Sequence, residues 1–156
     1  MSATDLDMED IVSEDSENEN IERFLTFVSD TITFGVSTNR VIEIISTYMI
    51  RPLPMVPGYI KGIINLRGMV IPVIDLRMRM GKSPAEETAS SCIIVLEIED
   101  VTIGVLVDAV IQVLDIDLAK TTTIPVHDNQ ELANSMTSLE DGTVVLFLNC
   151  EQMIQQ

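Results

Sequence analysis

Met80-Gly81-Lys82-Ser83 carries the glycine, lysine and hydroxyl that close a phosphate-binding loop. Such a loop needs another glycine five residues before Gly81, to let the backbone cradle phosphate, and Leu76 stands there instead. Nucleophilic chemistry would have to pair His127, the sole histidine, with Cys92 or Cys150. His127 lies in TIPVHDN, a Pro/Asp/Asn loop where a histidine is ordinarily solvated. Glu97, Glu99 and Asp100 bracket an expected turn and read most simply as solvated carboxylates. No G-x-G-x-x-G, H-E-x-x-H or C-x-x-C occurs, and two cysteines with one histidine give no metal-site spacing. The expectation is a non-enzyme with no catalytic residue, metal or cofactor.

Arg67 offers chemistry of another kind. It stands in YIKGIINLRGM, residues 59–69, directly ahead of VIPVIDLR, between two of the most apolar runs of the chain. Six of the nine bases, Arg51, Lys61, Arg67, Arg77, Arg79 and Lys82, fall between positions 51 and 82. The net charge is nevertheless -16, which disfavours nucleic acid as a partner. The local basic region is either a solvated face or a patch that complements an acidic protein. Residues 1–22 hold nine acids and no base, and are expected to form a disordered acidic tail.

The elements that must hold these side chains are mostly strands. Hydrophobic residues make up 46% of the chain and aromatics only 4%, so a core is built from Val, Ile and Leu. RFLTFVS and TITFGVS predict two strands with a tight turn, and IKGIINL and MVIPVIDL two more joined at Arg67-Gly68. NRVIEIIS places Val41, Ile44, Ile45 and Tyr48 at helical spacing behind Thr38 or Asn39, which predicts a short helix. RPLPMVPG predicts a stiff, extended connection. After GKSPAEETASS come CIIVLEI, VTIGVLVDAVIQVL, a loop with a short helix near 128–136, and TVVLFLN. The longest apolar run is broken by Asp108, Asp115 and Asp117, so no membrane insertion is expected. The N-terminus lacks the basic and apolar regions of a signal peptide, which predicts a cytoplasmic protein with free thiols.

The two sets of strands repeat one another. With a shift of 69 and no gaps, Gly35 meets Gly104, Val41 meets Val110 and Ile45 meets Leu114; with a shift of 74, Gly68 meets Gly142. Two copies of a β-rich module predict a mainly β chain of two small five-stranded β-barrels side by side, about 23–88 and 89–156. Each is small enough to lean on the other. Gly35, Gly68, Gly104 and Gly142 recur and are expected to be architectural, as is Gly62, although Met136 replaces it in the second copy. Arg67 faces Asp141, Asn65 faces Leu139 and Glu43 faces Gln112, so these three belong to the first copy alone.

VIEII, PxxPGYIKGIINLRGxxIPVIDLR, IGVLVDAVIQVL and DGTVVLFLN together resemble the CheW family of bacterial chemotaxis adaptors, over residues 21–156. The resemblance implies paired SH3-like β-barrels around a shared apolar junction, and a non-enzymatic scaffold coupling chemoreceptors to the histidine kinase CheA in membrane-associated arrays. It implies that the receptor's cytoplasmic tip docks between the barrels and that the barrel ends meet the kinase regulatory domain, with other adaptor copies as further neighbours. It places receptor contacts at Val41, Glu43, Asn65, Arg67, Cys92 and Val113. The chemistry suits them, since a receptor helix lays apolar anchors in a groove while rim charges set its register. The alternative is a small β-barrel that binds nucleic acid or an acidic ligand through the 51–82 bases.

Overall fold

The computed structural model describes residues 20–84, 86–124 and 132–154. Residues 1–19 of the expected tail, His127 and the first part of the helix expected at 128–136 lie outside the described residues. Ile21 and Glu22, expected in the tail, already belong to the first strand.

Among the described residues, eleven strands run in chain order as β1 Ile21–Ser29, β2 Ile32–Ser37, β3 Val41–Ile45, β4 Ile60–Leu66, β5 Met69–Asp75, β6 Cys92–Ile98, β7 Val101–Val107, β8 Ala109–Asp117, β9 Thr122–Thr123, β10 Ala133–Ser138 and β11 Val144–Leu148. Two short helices, α1 Leu76–Arg79 and α2 Cys150–Ile154, follow β5 and β11. Two helices expected from sequence are strands instead. Val41–Ile45 is β3, and only Thr38–Arg40 before it makes a single 3-10 turn, capped by the Ser37 hydroxyl. A five-residue run with four β-branched residues fits helical or strand periodicity equally, and pairing with β6 decides the matter. Residues 133–138 are likewise β10, paired with β11.

The strands form a six-stranded sheet, β8-β1-β2-β11-β10-β9, and a five-stranded sheet, β3-β6-β7-β5-β4. Neither follows one half of the chain: β2 pairs in parallel with β11, and β5 in parallel with β7. The repeat survives in the register. Leu25 lies opposite Val113 as Ile44 lies opposite Ile94, and Gly35 pairs with Phe147 as Gly104 pairs with Val73. Even the bulge recurs, at Thr26/Phe27 against β8 and at Val41/Glu43 on β3.

Period-two alternation sorts the core into three layers. Cys92, Ile94, Leu96 and Ile98 of β6 face a central core shared with Leu25, Phe27, Phe34 and Val36, while Ile93 and Val95 face the interior of the five-stranded sheet. Phe24, Ile116, Val145 and Phe147 fill the interior of the six-stranded one. Burial on both faces explains why CIIVL reads as an unbroken apolar run, up to the exposed Glu97. End strands β3 and β4 are not joined by a backbone ladder among the described residues, nor are β8 and β9, so each sheet curls without closing.

Ion pairs pin the segments that cross from sheet to sheet. Arg77 of α1 grips Asp108, the link between β7 and β8, with Nη2 to Oδ2 at 2.7 Å and Nε to Oδ1 at 3.2 Å, and reaches Asp30 with Nη1 at 3.2 Å. In the other copy Glu151 of α2 meets Arg40, the link into β3, at 2.9 Å. Positions 77 and 151 correspond under the shift of 74, while Asp108 corresponds to Asn39 under the shift of 69, so the second copy pins its crossing one residue further on and with reversed charges.

Candidate functional site

The turn between β4 and β5 has two residues, Arg67 and Gly68, with φ of 52° and 84°. Both central residues are left-handed, which is the primed turn whose twist matches a two-residue hairpin. Glycine takes that conformation without strain and arginine does not. Asn65 Oδ1 accepts from the Gly68 amide at 2.9 Å and holds the turn. Asn65 thus spends its side chain on the hairpin.

Arg67 is 71% exposed at the side chain, and its Nη2 donates to Glu43 Oε1 on β3. Glu43 and Arg67 come from opposite ends of the sheet order, so their contact measures how far the sheet has curled. Gly62 is needed beneath them: a Cβ there would stand 2.2 Å from the Arg51 carbonyl oxygen. Arg51 and Ile63 exchange two backbone hydrogen bonds, of 2.8 and 2.9 Å, across that approach.

The other expected contact residues divide by burial. Val41 is half-buried against the central core, and Val113 on end strand β8 is 50% exposed. Cys92 is 4% exposed and lies within the central core, so its side chain presents no surface. Burial pushes its thiol pKa up against a backbone hydrogen bond from Val110, and pushes Cys150 up to about 11. Both thiols are thus unreactive as nucleophiles at neutral pH. Ile42, Ile44 and Ile111 join Val113 as exposed apolar side chains on the two end strands, and were missed from sequence. A helical spacing for 41–48 hid Ile42 and Ile44; the shift of 69, which pairs Ile42 with Ile111 and Ile44 with Val113, was the signal that could have found them.

Each sheet also opens a cleft at the turn end, and the two clefts correspond. The first, of about 410 Å³, is lined by Tyr48, Met49, Arg51, Asn65, Leu66 and Val70. The second, of about 470 Å³, has Asp115, Asp117, Lys120, Leu139, Glu140 and Val144. Under the shift of 74, Asn65, Leu66 and Val70 become Leu139, Glu140 and Val144, so an apolar cleft with one arginine has an acidic twin. Gly142, the twin of Gly68, keeps a left-handed φ of 92° in the longer loop.

The bases of 51–82 do not form an open positive face. Lys61 pairs with Glu87 at 3.1 Å, Arg67 with Glu43, Arg77 with Asp30 and Asp108, and Lys82 with Asp30 at 3.3 Å. Arg79 lies over the Tyr59 ring, 4.9 Å from its centroid. Among the described residues no cluster of three or more His, Cys, Asp or Glu could hold a metal ion, and no helix is long and apolar enough to cross a membrane.

Comparison with known proteins places this architecture. The CheW-like domain model matches residues 23–156. The chemotaxis protein CheW of Thermotoga maritima is 30% identical over 132 residues, 85% of this chain and 87% of that protein. The chemotaxis protein CheW of Rhizobium meliloti is 36% identical over 98 residues, 61% of this chain and 63% of that protein; the probable chemotaxis protein CheW of Rhizobium etli is 47% identical over 64 residues, 41% of each chain. The match thus spans under two thirds of the length of both Rhizobium relatives. The crystal structure of scaffolding protein TtCheW from Thermoanaerobacter tengcongensis superposes with a TM-score of 0.76 at 29% identity, over 82% of this chain and 88% of that one. Paired sheets that exchange strands across an internal repeat, with the NLRG hairpin at one rim, are what this match covers, and the chain belongs to the CheW-like domain family.

Proposed function

We propose that the protein is a non-enzymatic chemotaxis adaptor that couples chemoreceptors to the histidine kinase CheA. The observation that carries this is the match to a CheW-like domain from residue 23 to residue 156, joined by likeness to a protein described as a scaffold. The surface chemistry supports it. Glu43 and Arg67 make a charge pair whose arginine is mostly exposed, and Ile42 and Ile44 on the same strand as Glu43 offer apolar anchors, the combination that a helical receptor tip requires. The acidic and apolar clefts at the two barrel ends differ enough to select different faces of the kinase regulatory domain or of another adaptor copy. A place at membrane-associated receptor arrays follows from the same partners.

The test is co-sedimentation with receptor-containing membranes. Arg67→Glu should abolish it. The charge-swapped pair Glu43→Arg with Arg67→Glu rebuilds the internal ion pair but offers the receptor inverted charges, so it should remain defective. Recovery of binding by the swap would make the pair a structural brace only. The nucleic-acid alternative has little left to stand on, since five of the six clustered bases are engaged within the chain. Salt-sensitive oligonucleotide binding without receptor binding would reinstate it.

A further inference from the structure

A third cleft belongs to neither the Glu43–Arg67 rim nor the barrel-end pair. It measures about 620 Å³ and lies between α1 and strands β2, β10 and β11. Phe34, Leu132 and Leu146 line it together with Met78 of α1 and Met80, the residue that caps α1. The volume falls within the ~300–1,000 Å³ of small-ligand sites. On a chain of net charge -16, the described residues lining it include Arg79 and Lys82 and no carboxylate.

Arg79 supplies the second observation. Its Nη2 donates to the Gln152 carbonyl at 2.9 Å and its guanidinium is held over Tyr59, so its orientation is fixed from two sides. Its Nε is buried and donates to nothing. A buried N–H of a cation left without an acceptor is costly, and the acceptor that best matches a guanidinium is a carboxylate. Lys82 is already neutralised by Asp30, which leaves Arg79 as the cation without a carboxylate partner among the described residues of the cleft. A single negative charge on an apolar body fits that balance, whereas a doubly charged phosphate would bring an excess charge into apolar walls.

We propose that this cleft binds a small amphipathic carboxylate, its acid accepting from Arg79 Nε and its apolar body lying on Phe34, Leu132 and Leu146. Because Nε is covered in the empty cleft, neighbouring side chains must move as the ligand enters, and Met78 and Met80 are among the residues lining it. Unbranched methionines move at little cost. The site needs no receptor or kinase, so its failure leaves the adaptor function untouched.

Octanoate and its neutral twin octanol serve as probes, read by methyl NMR of the full chain. Octanoate should shift the methyl signals of Ile32, Met78, Met80, Leu132 and Leu146 saturably, and bind at least about tenfold more tightly than octanol, as a charge-assisted hydrogen bond requires. Arg79→Met should remove that preference; wild-type discrimination between the two probes stands as evidence even if the variant folds poorly. Equal binding of octanoate and octanol, shifts scattered over the molecule, or an Arg79→Met variant that folds and still prefers octanoate would each overturn the site.

Discussion

At the scale of single residues, exposure separates side chains that hold the fold from side chains free to meet a partner. Arg67 is mostly exposed, and an exposed ion pair contributes about 0–1 kcal/mol. Arg67→Ala should therefore change stability by about 0.5 kcal/mol or less while abolishing receptor co-sedimentation. A large fall in Tm would show that the arginine braces the turn. Ser29 is the opposite case. It is fully buried, its Oγ has no hydrogen-bond partner, and Ile98 occupies the corresponding position of the second copy. Removing an unsatisfied buried hydroxyl should stabilise, so Ser29→Ala is expected to raise Tm by about 2–4 °C, the equivalent of about 1 kcal/mol. A lowered Tm in thermal denaturation would mean that the hydroxyl has a partner after all.

Between elements, the decisive contacts are the close approach at β4 and the ion pairs at the crossings. Gly62→Ala would push a Cβ against the Arg51 carbonyl, and backbone cannot yield as a side-chain tip can. We expect a loss of about 3 kcal/mol or more, read by urea unfolding, whereas Gly142, with open space around its Cβ position, should tolerate alanine at about 1 kcal/mol. Asp108 titrates the other contact. Burial pushes its carboxyl up, but the Arg77 guanidinium and the Asp30 amide outweigh burial and hold it below the usual value. A carboxyl lowered in the folded chain stabilises fully above its unfolded pKa of about 3.9 and loses that contribution as pH falls through the folded value. Asp108→Asn should lower Tm at neutral pH and flatten the decline of Tm below about pH 4. An acid limb identical to wild type would assign the acid sensitivity to other carboxylates.

For the whole molecule, strand exchange makes the two halves one cooperative unit. β2 is completed by β11 and β5 by β7, and the largest core cluster draws side chains from both halves. Fragments 20–88 and 89–156 should each be unfolded by circular dichroism when made alone, since each would expose parallel edges and half of a core. Mixed together they should recover native strand content. A folded, monomeric fragment would overturn this.

How much of this was legible in the sequence can be judged from particular residues. Gly35 and Gly104, and Gly68 and Gly142, announced a duplicated β module because local turn chemistry and period-two patterning are written residue by residue. Arg67 stood out for the same reason, as a charge that the second copy lacks. The strand identity of Val41–Ile45 was not legible, because a short β-branched run carries either period until β6 claims it. Nor was the exposure of Ile42 and Ile44. Composition and spacing by themselves determined a repeated, mainly β chain with a singular arginine at its hairpin. Which strands pair across the repeat, and which face of each meets solvent, only the tertiary structure decided, because those depend on partners far away along the chain.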